Sequence, residues 1–143
     1  MPHLVILYTP QLDAETDMTA LCRALADTMI VARDDAGEPV FPIGGVRVLA
    51  YPAAHFAVAD GGAASRAAGG SGDCAFVWFH LRMGRGRSAA VHQRAGQALV
   101  SAARAHLAPV LASRHVGLTL QIDEGHEVFG AKFGNLHSLF DKS

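Results

Sequence analysis

The sequence predicts an α+β fold: two fused β-α-β units whose shared sheet carries its helices on one face, giving a two-layer sandwich. Three observations point there. A short β-rich run opens the chain, the order strand, helix, strand occurs twice around a glycine-rich stretch, and each helix is long enough to cover a sheet face. With 143 residues, 50% of them hydrophobic, the chain holds one domain with a sizeable core.

His3-Leu4-Val5-Ile6-Leu7-Tyr8 is rich in β-formers and is followed by Pro10, so it reads as a buried strand. Met18, Leu21, Cys22, Leu25 and Met29 then recur at helical spacing, with Asp13 or Asp17 available as the N-cap. The polar run Asp34 to Pro39 is a turn. An extended stretch is expected from Gly45 to Ala59, interrupted at Pro52, which cannot donate to a ladder and suits an edge or a bulge. Residues 61–73 contain Gly61, Gly62, Gly69, Gly70 and Gly72, five of the fifteen glycines, and read as a flexible connector.

After the connector the pattern repeats. From Ala75 to Met83, Val77, Phe79, Leu81 and Met83 alternate with Phe76, Trp78, His80 and Arg82, the period of a strand; Phe76, Trp78 and Phe79 are assigned to the core. Ser88 is placed to cap a long helix with Val91, Ala95, Leu99, Ala103, Leu107, Val110 and Leu111 on its apolar face. Pro109 has no N–H for the carbonyl of Ala105 and is expected to kink that helix or restart it. Val116, Leu118, Leu120 and Ile122 alternate with Gly117, Thr119, Gln121 and Asp123 as a last strand. A single domain, residues 1–143, thus divides into units at 2–60 and 74–143, joined by the connector at 61–73.

Composition excludes several function classes. A charged fraction of 17% and a mean hydropathy of +0.22 are unlike a disordered chain. Twelve Lys and Arg against thirteen Asp and Glu leave a formal charge of −1, which argues against a general binder of nucleic acid. Cys22 and Cys74 are too few for a disulfide scaffold or a cysteine-built zinc site. Eight scattered histidines offer no helical ligand pair with a third ligand in view, so no metal is expected. Residues 1–6 lack the basic region and cleavage site of a signal peptide, and Arg104, His106 and Pro109 break the longest weakly polar stretch. No membrane partner is expected, and the expected location is the cytoplasm.

Ten of the twelve cations are arginine, whose planar fork suits carboxylates and phosphates. Gly84-Arg85-Gly86-Arg87-Ser88 stands between a strand and a helix, where free N–H groups, the helix dipole and a guanidinium converge on an anion. It is neither a P-loop nor a dinucleotide fingerprint, and a plain glycine turn with exposed arginines explains it equally well. Arg47 opens the second extended stretch, in Phe41-Pro42-Ile43-Gly44-Gly45-Val46-Arg47; alone, such a residue is more often a surface cation. Pro2 is the remaining candidate. Removal of Met1 would expose a secondary amine, which is a base only if neutral near pH 7, against a usual α-amine pKa of about 7.7–8. Burial lowers that value, and a cation about 6 Å away disfavours protonation by roughly 2–3 kcal/mol at an effective dielectric of about 20.

Pro2-His3, Phe41 to Arg47, Ala59-Asp60-Gly61, Ala75-Phe76-Val77, Gly84 to Ser88 and Asn135-Leu136-His137-Ser138-Leu139-Phe140 occur together and in order. In that arrangement the chain resembles the 5-carboxymethyl-2-hydroxymuconate Δ-isomerase family of the tautomerase superfamily. The resemblance spans nearly the whole chain, with the Asp34 to Glu38 turn and the glycine-rich stretch standing as insertions. It implies a homotrimer that needs no cofactor, with Pro2 as general base and acid and with Arg47 and Arg87 holding or polarising the substrate. Arg85 is at most an accessory contact. The implied substrate is a small carboxylated 2-hydroxymuconate dienol from aromatic-compound catabolism. Leu7, Trp78 and His80 depart from the family pattern, which leaves open a dehalogenase or decarboxylase on the same fold, and a non-catalytic trimeric binding module.

Overall fold

The computed structural model describes residues 2–141; the reading that concerns Met1 lies outside the described residues. Four strands form one mixed sheet in the order β2-β1-β3-β4, where β1 is His3–Tyr8, β2 Arg47–Pro52, β3 Ala75–Met83 and β4 Val116–Glu124. β1 and β2 are parallel, as are β3 and β4, and each pair is bridged by one helix: α1, Met18–Val31, or the long α3, Ala89–Ser113. The two pairs join where β1 runs antiparallel to β3, with His3 opposite Arg82 and Tyr8 opposite Val77.

The two-residue period of the strands decides which side meets the helices. Leu4, Ile6 and Tyr8 of β1, with Val77, Phe79, Leu81 and Met83 of β3, are buried on one face. Leu21, Leu25 and Met29 of α1 and Leu99, Ala103 and Leu107 of α3 close over them. Each such large aliphatic side chain contributes roughly 1.5–3 kcal/mol through burial. Of the three aromatics assigned to the core only Phe79 belongs there. Phe76 and Trp78 lie on the strand's other face, where the Trp78 ring stacks on His80 at 5.2 Å and its indole N–H donates to Gln121 Oε1 at 2.6 Å.

Helix starts follow their caps. Asp17, not Asp13, caps α1, its carboxylate accepting from the Ala20 N–H at 3.0 Å; Asp13 instead accepts from the Tyr8 hydroxyl at 2.6 Å. Ser88 Oγ accepts from the Val91 N–H at 3.2 Å and caps α3. That helix does not restart at Pro109. Ala105 and Pro109 both sit on its exposed face, where water can satisfy the carbonyl that loses its partner.

Two other expectations are corrected. The second extended stretch is a strand only over Arg47–Pro52, at the sheet edge, because pairing stops at Pro52. The connector is folded rather than loose. A short helix α2, Ala63–Ala67, starts after Gly62 at φ 95°, and Asp60 accepts from the N–H groups of Gly62 and Ala64. Ser65 is buried, with Oγ 2.7 Å from His115 Nδ1, so the segment is fastened to the start of β4.

Candidate active site

Pro2 precedes β1, one of the two central strands, and is buried level with the start of β2 and the end of β3. It lines a cavity of about 400 Å³ with Phe41, Pro42, Gly45, Met83, Gly84, Arg87, Lys132 and His137. The walls beside Pro2 are apolar, while Arg87 and Lys132 supply two cations, and no carboxylate lies among these residues. An anion with an unsaturated body fits that lining.

Arg87 is fixed by its neighbours. Gly86, at φ 113°, turns the chain between β3 and α3 through a conformation that L side chains rarely adopt. Arg85 then meets His126, while Arg87 turns back so that Nη2 donates to the Val40 carbonyl at 2.6 Å. The guanidinium keeps further N–H donors in a plane set by that bond.

Two other clefts carry carboxylates and suit an anion less well. One of about 850 Å³ lies between the start of α1 and β2, lined by Asp13, Glu15 and Asp17 with no Lys or Arg. Its Tyr8 hydroxyl, pushed up to about 12 by burial first and then by its bond to Asp13, stays a neutral donor. The other, about 440 Å³, combines Arg85 and Arg87 with Asp34 and Asp35. Although the first is larger than the Pro2 cavity, its three carboxylates would repel a polycarboxylate, and the Pro2 cavity is the better candidate.

Of the residues singled out from sequence, Pro2 and Arg87 are thus brought together. Arg85 is exposed and lines the neighbouring cleft. Arg47 opens β2 as the register partner of His3; it is half-buried, and its Nη1 donates to the Gly45 carbonyl at 3.2 Å. The His3 imidazole is pushed below its usual pKa by loss of water first, then by the Arg47 guanidinium. A positive field therefore acts one residue from Pro2.

Lys132 and His137 were not singled out by side-chain chemistry. They come from the segment after β4, whose short 3-10 turn His137–Leu139 packs on the turn Ile43–Gly45. Gly44 makes the approach possible, since a Cβ there would lie 3.0 Å from His137 Nδ1 and 3.1 Å from Phe140 Cδ2. We expect Gly44→Val to push this segment off the cavity, speed its cleavage in limited proteolysis and lower turnover by about tenfold, with Gly44→Ala milder. Unchanged cleavage would show that the contact does not hold the segment.

A four-stranded mixed sheet of two β-α-β units is a tautomerase-like α+β fold. The chain belongs to the 5-carboxymethyl-2-hydroxymuconate isomerase family, which it matches over residues 2–140, and it is an isomerase. It is 29% identical over 140 residues to the 5-carboxymethyl-2-hydroxymuconate Delta-isomerase of Escherichia coli, covering 98% of this chain and 99% of that one. A solved 5-carboxymethyl-2-hydroxymuconate delta-isomerase superposes with a TM-score of 0.96 at 64% identity, covering 100% of this chain and 95% of the other. A 5-carboxymethyl-2-hydroxymuconate isomerase from Deinococcus radiodurans R1 superposes with a TM-score of 0.80 at 33% identity, covering 99% and 95%. Among the described residues, no helix is long and apolar enough to cross a membrane.

Proposed function

We propose that the chain, once Met1 is removed, isomerises 5-carboxymethyl-2-hydroxymuconate to its 2-oxo-3-ene form with the Pro2 amine as the proton carrier. The observation that carries this reading is the buried Pro2 sharing a cavity with Arg87 and no carboxylate. The neutral amine takes the 2-hydroxyl proton; the 2-oxygen becomes a carbonyl, the two double bonds of the diene become one between C3 and C4, and the amine returns the proton to C5. Atoms and electrons balance with no outside reagent, and one group serves as base and then acid. Arg87 and Arg47 serve the anion, one pairing a carboxylate through its fork and the other stabilising charge on the 2-oxygen. The reaction fits the catabolism of aromatic compounds in the cytoplasm.

The active form in this reading is a homotrimer. The sheet face opposite the helices is uncovered and carries half-exposed Leu49 and Tyr51 beside Leu7, a surface suited to further copies of the chain.

Burial of Pro2 and the Arg87 guanidinium in the same cavity both disfavour the charged amine, and in this reading they lower its pKa below that of an ordinary terminus. A base with a lowered pKa is neutral above it, so turnover falls as the pH drops through that value. The test is dienol ketonisation followed across pH by the Met1-free protein, beside 3-chloroacrylate as a dehalogenase control. We expect isomerisation, no halide release, and an acid limb below about 7.7. In Arg47→Met that limb moves to higher pH; an unmoved limb would remove Arg47 from the amine's surroundings. Halide release without ketonisation would overturn the reading.

A further inference from the structure

We infer that Lys132 determines specificity, binding the carboxylate on the substrate's carboxymethyl arm and so distinguishing the tricarboxylate from its unbranched dicarboxylate counterpart. This rests on the isomerase reading above. Arg87 and Lys132 line the same cavity as Pro2, but they are held differently. The Arg87 guanidinium is fixed by its 2.6 Å bond to the Val40 carbonyl and so presents a planar fork in a set orientation. Lys132 is exposed, on an irregular segment between Gly130 and Gly134, and its ammonium is a point charge on a flexible stem.

The substrate contains the same division. Two of its carboxylates are attached to the rigid diene, and the third hangs from a methylene at C5 and can turn. C5 is also the carbon that receives the proton, so the arm must enter the cavity within a few bonds of the Pro2 nitrogen. A rigid fork suits a carboxylate on the planar backbone, and a mobile ammonium suits the arm. With no carboxylate in the lining to neutralise Lys132, its charge is available to the ligand. The segment that carries it is anchored at the other end, where His137 rests on Gly44, so the ammonium is kept over the cavity while the stem stays free.

The test compares the Met1-free enzyme with Lys132→Met and Lys132→Arg on 5-carboxymethyl-2-hydroxymuconate and on 2-hydroxymuconate, which lacks the arm. Lys132→Met is expected to lose roughly 10- to 100-fold in kcat/KM on the branched substrate, mainly through KM, and less than about threefold on the unbranched one. Lys132→Arg keeps the charge and recovers most of the loss. An equal loss on both substrates, or none on either, overturns the assignment. Calorimetric titration with propane-1,2,3-tricarboxylate and with glutarate provides a readout that needs no turnover. Weaker tricarboxylate binding by Lys132→Met, with glutarate unchanged, supports the assignment; equal changes overturn it. If the wild-type enzyme isomerises neither dienol, the functional reading fails, and the titration still decides the role of Lys132.

Discussion

A chain carrying an uncleaved extension before Pro2 is expected to lose roughly 10²- to 10⁴-fold in turnover while keeping its fold. The size follows from what is removed, a positioned group that serves as both base and acid. Within an amide the proline nitrogen has no basic lone pair. Pro2 is buried at the head of β1 and lines the cavity, so an extension on its nitrogen would also crowd the site. Cleaving a removable extension so that Pro2 is left as the terminal residue restores the amine and should return full activity, which shows that the loss is not irreversible damage. Mass spectrometry of each preparation establishes which terminus was assayed. Full turnover with the extension in place would dismiss Pro2 as the proton carrier and leave His137 as the titratable group to examine.

Arg87→Met is expected to cost about 10²- to 10³-fold in kcat/KM, the scale of leaving a desolvated substrate anion without its fixed, charged partner. Arg87→Lys should regain little of it, since a single ammonium reproduces neither the fork nor the bond to Val40. That bond makes Arg87 structural as well, and its loss leaves the Val40 carbonyl without this donor at about 1 kcal/mol. The thermal midpoint should therefore fall by a few degrees in both variants. Equal activity losses in Arg87→Met and in an unrelated variant of the same midpoint would mean that the residue acts only through stability.

Much of the fold could be read in advance because its signals are local. The bounds of β1 follow from a β-rich run closed off by Pro10, and those of β3 from a two-residue alternation ended by Gly84. The start of α3 follows from a serine whose hydroxyl could reach an N–H three residues on. Errors came where distant residues decide. Ala54, Phe56, Ala57 and Val58 look like a strand, yet the ladder register ends at Pro52 and its last bond runs from the Ala53 N–H to the Tyr8 carbonyl. Five glycines suggested a loose connector, but a part-buried bond between Ser65 and His115, fifty positions apart, fixes it. The site divides in the same way. Pro2 and Arg87 were legible because each stands at the end of a regular element, whereas Lys132 lies on a segment with no periodicity. The available signal was the Asn135 to Phe140 run, whose His137 brings that segment to Gly44.

The antiparallel junction between β1 and β3 has a consequence for how the chain is made. While a ribosome is still producing the first seventy residues or so, β1 has β2 on one side and an open ladder on the other. A nascent strand as apolar as Leu4-Val5-Ile6-Leu7 then offers unpaired N–H and carbonyl groups to any neighbouring polysome product. The hazard ends only when Val77 to Arg82 emerges, and the strand that follows Pro2 thus waits for the second half of the molecule before it is safe.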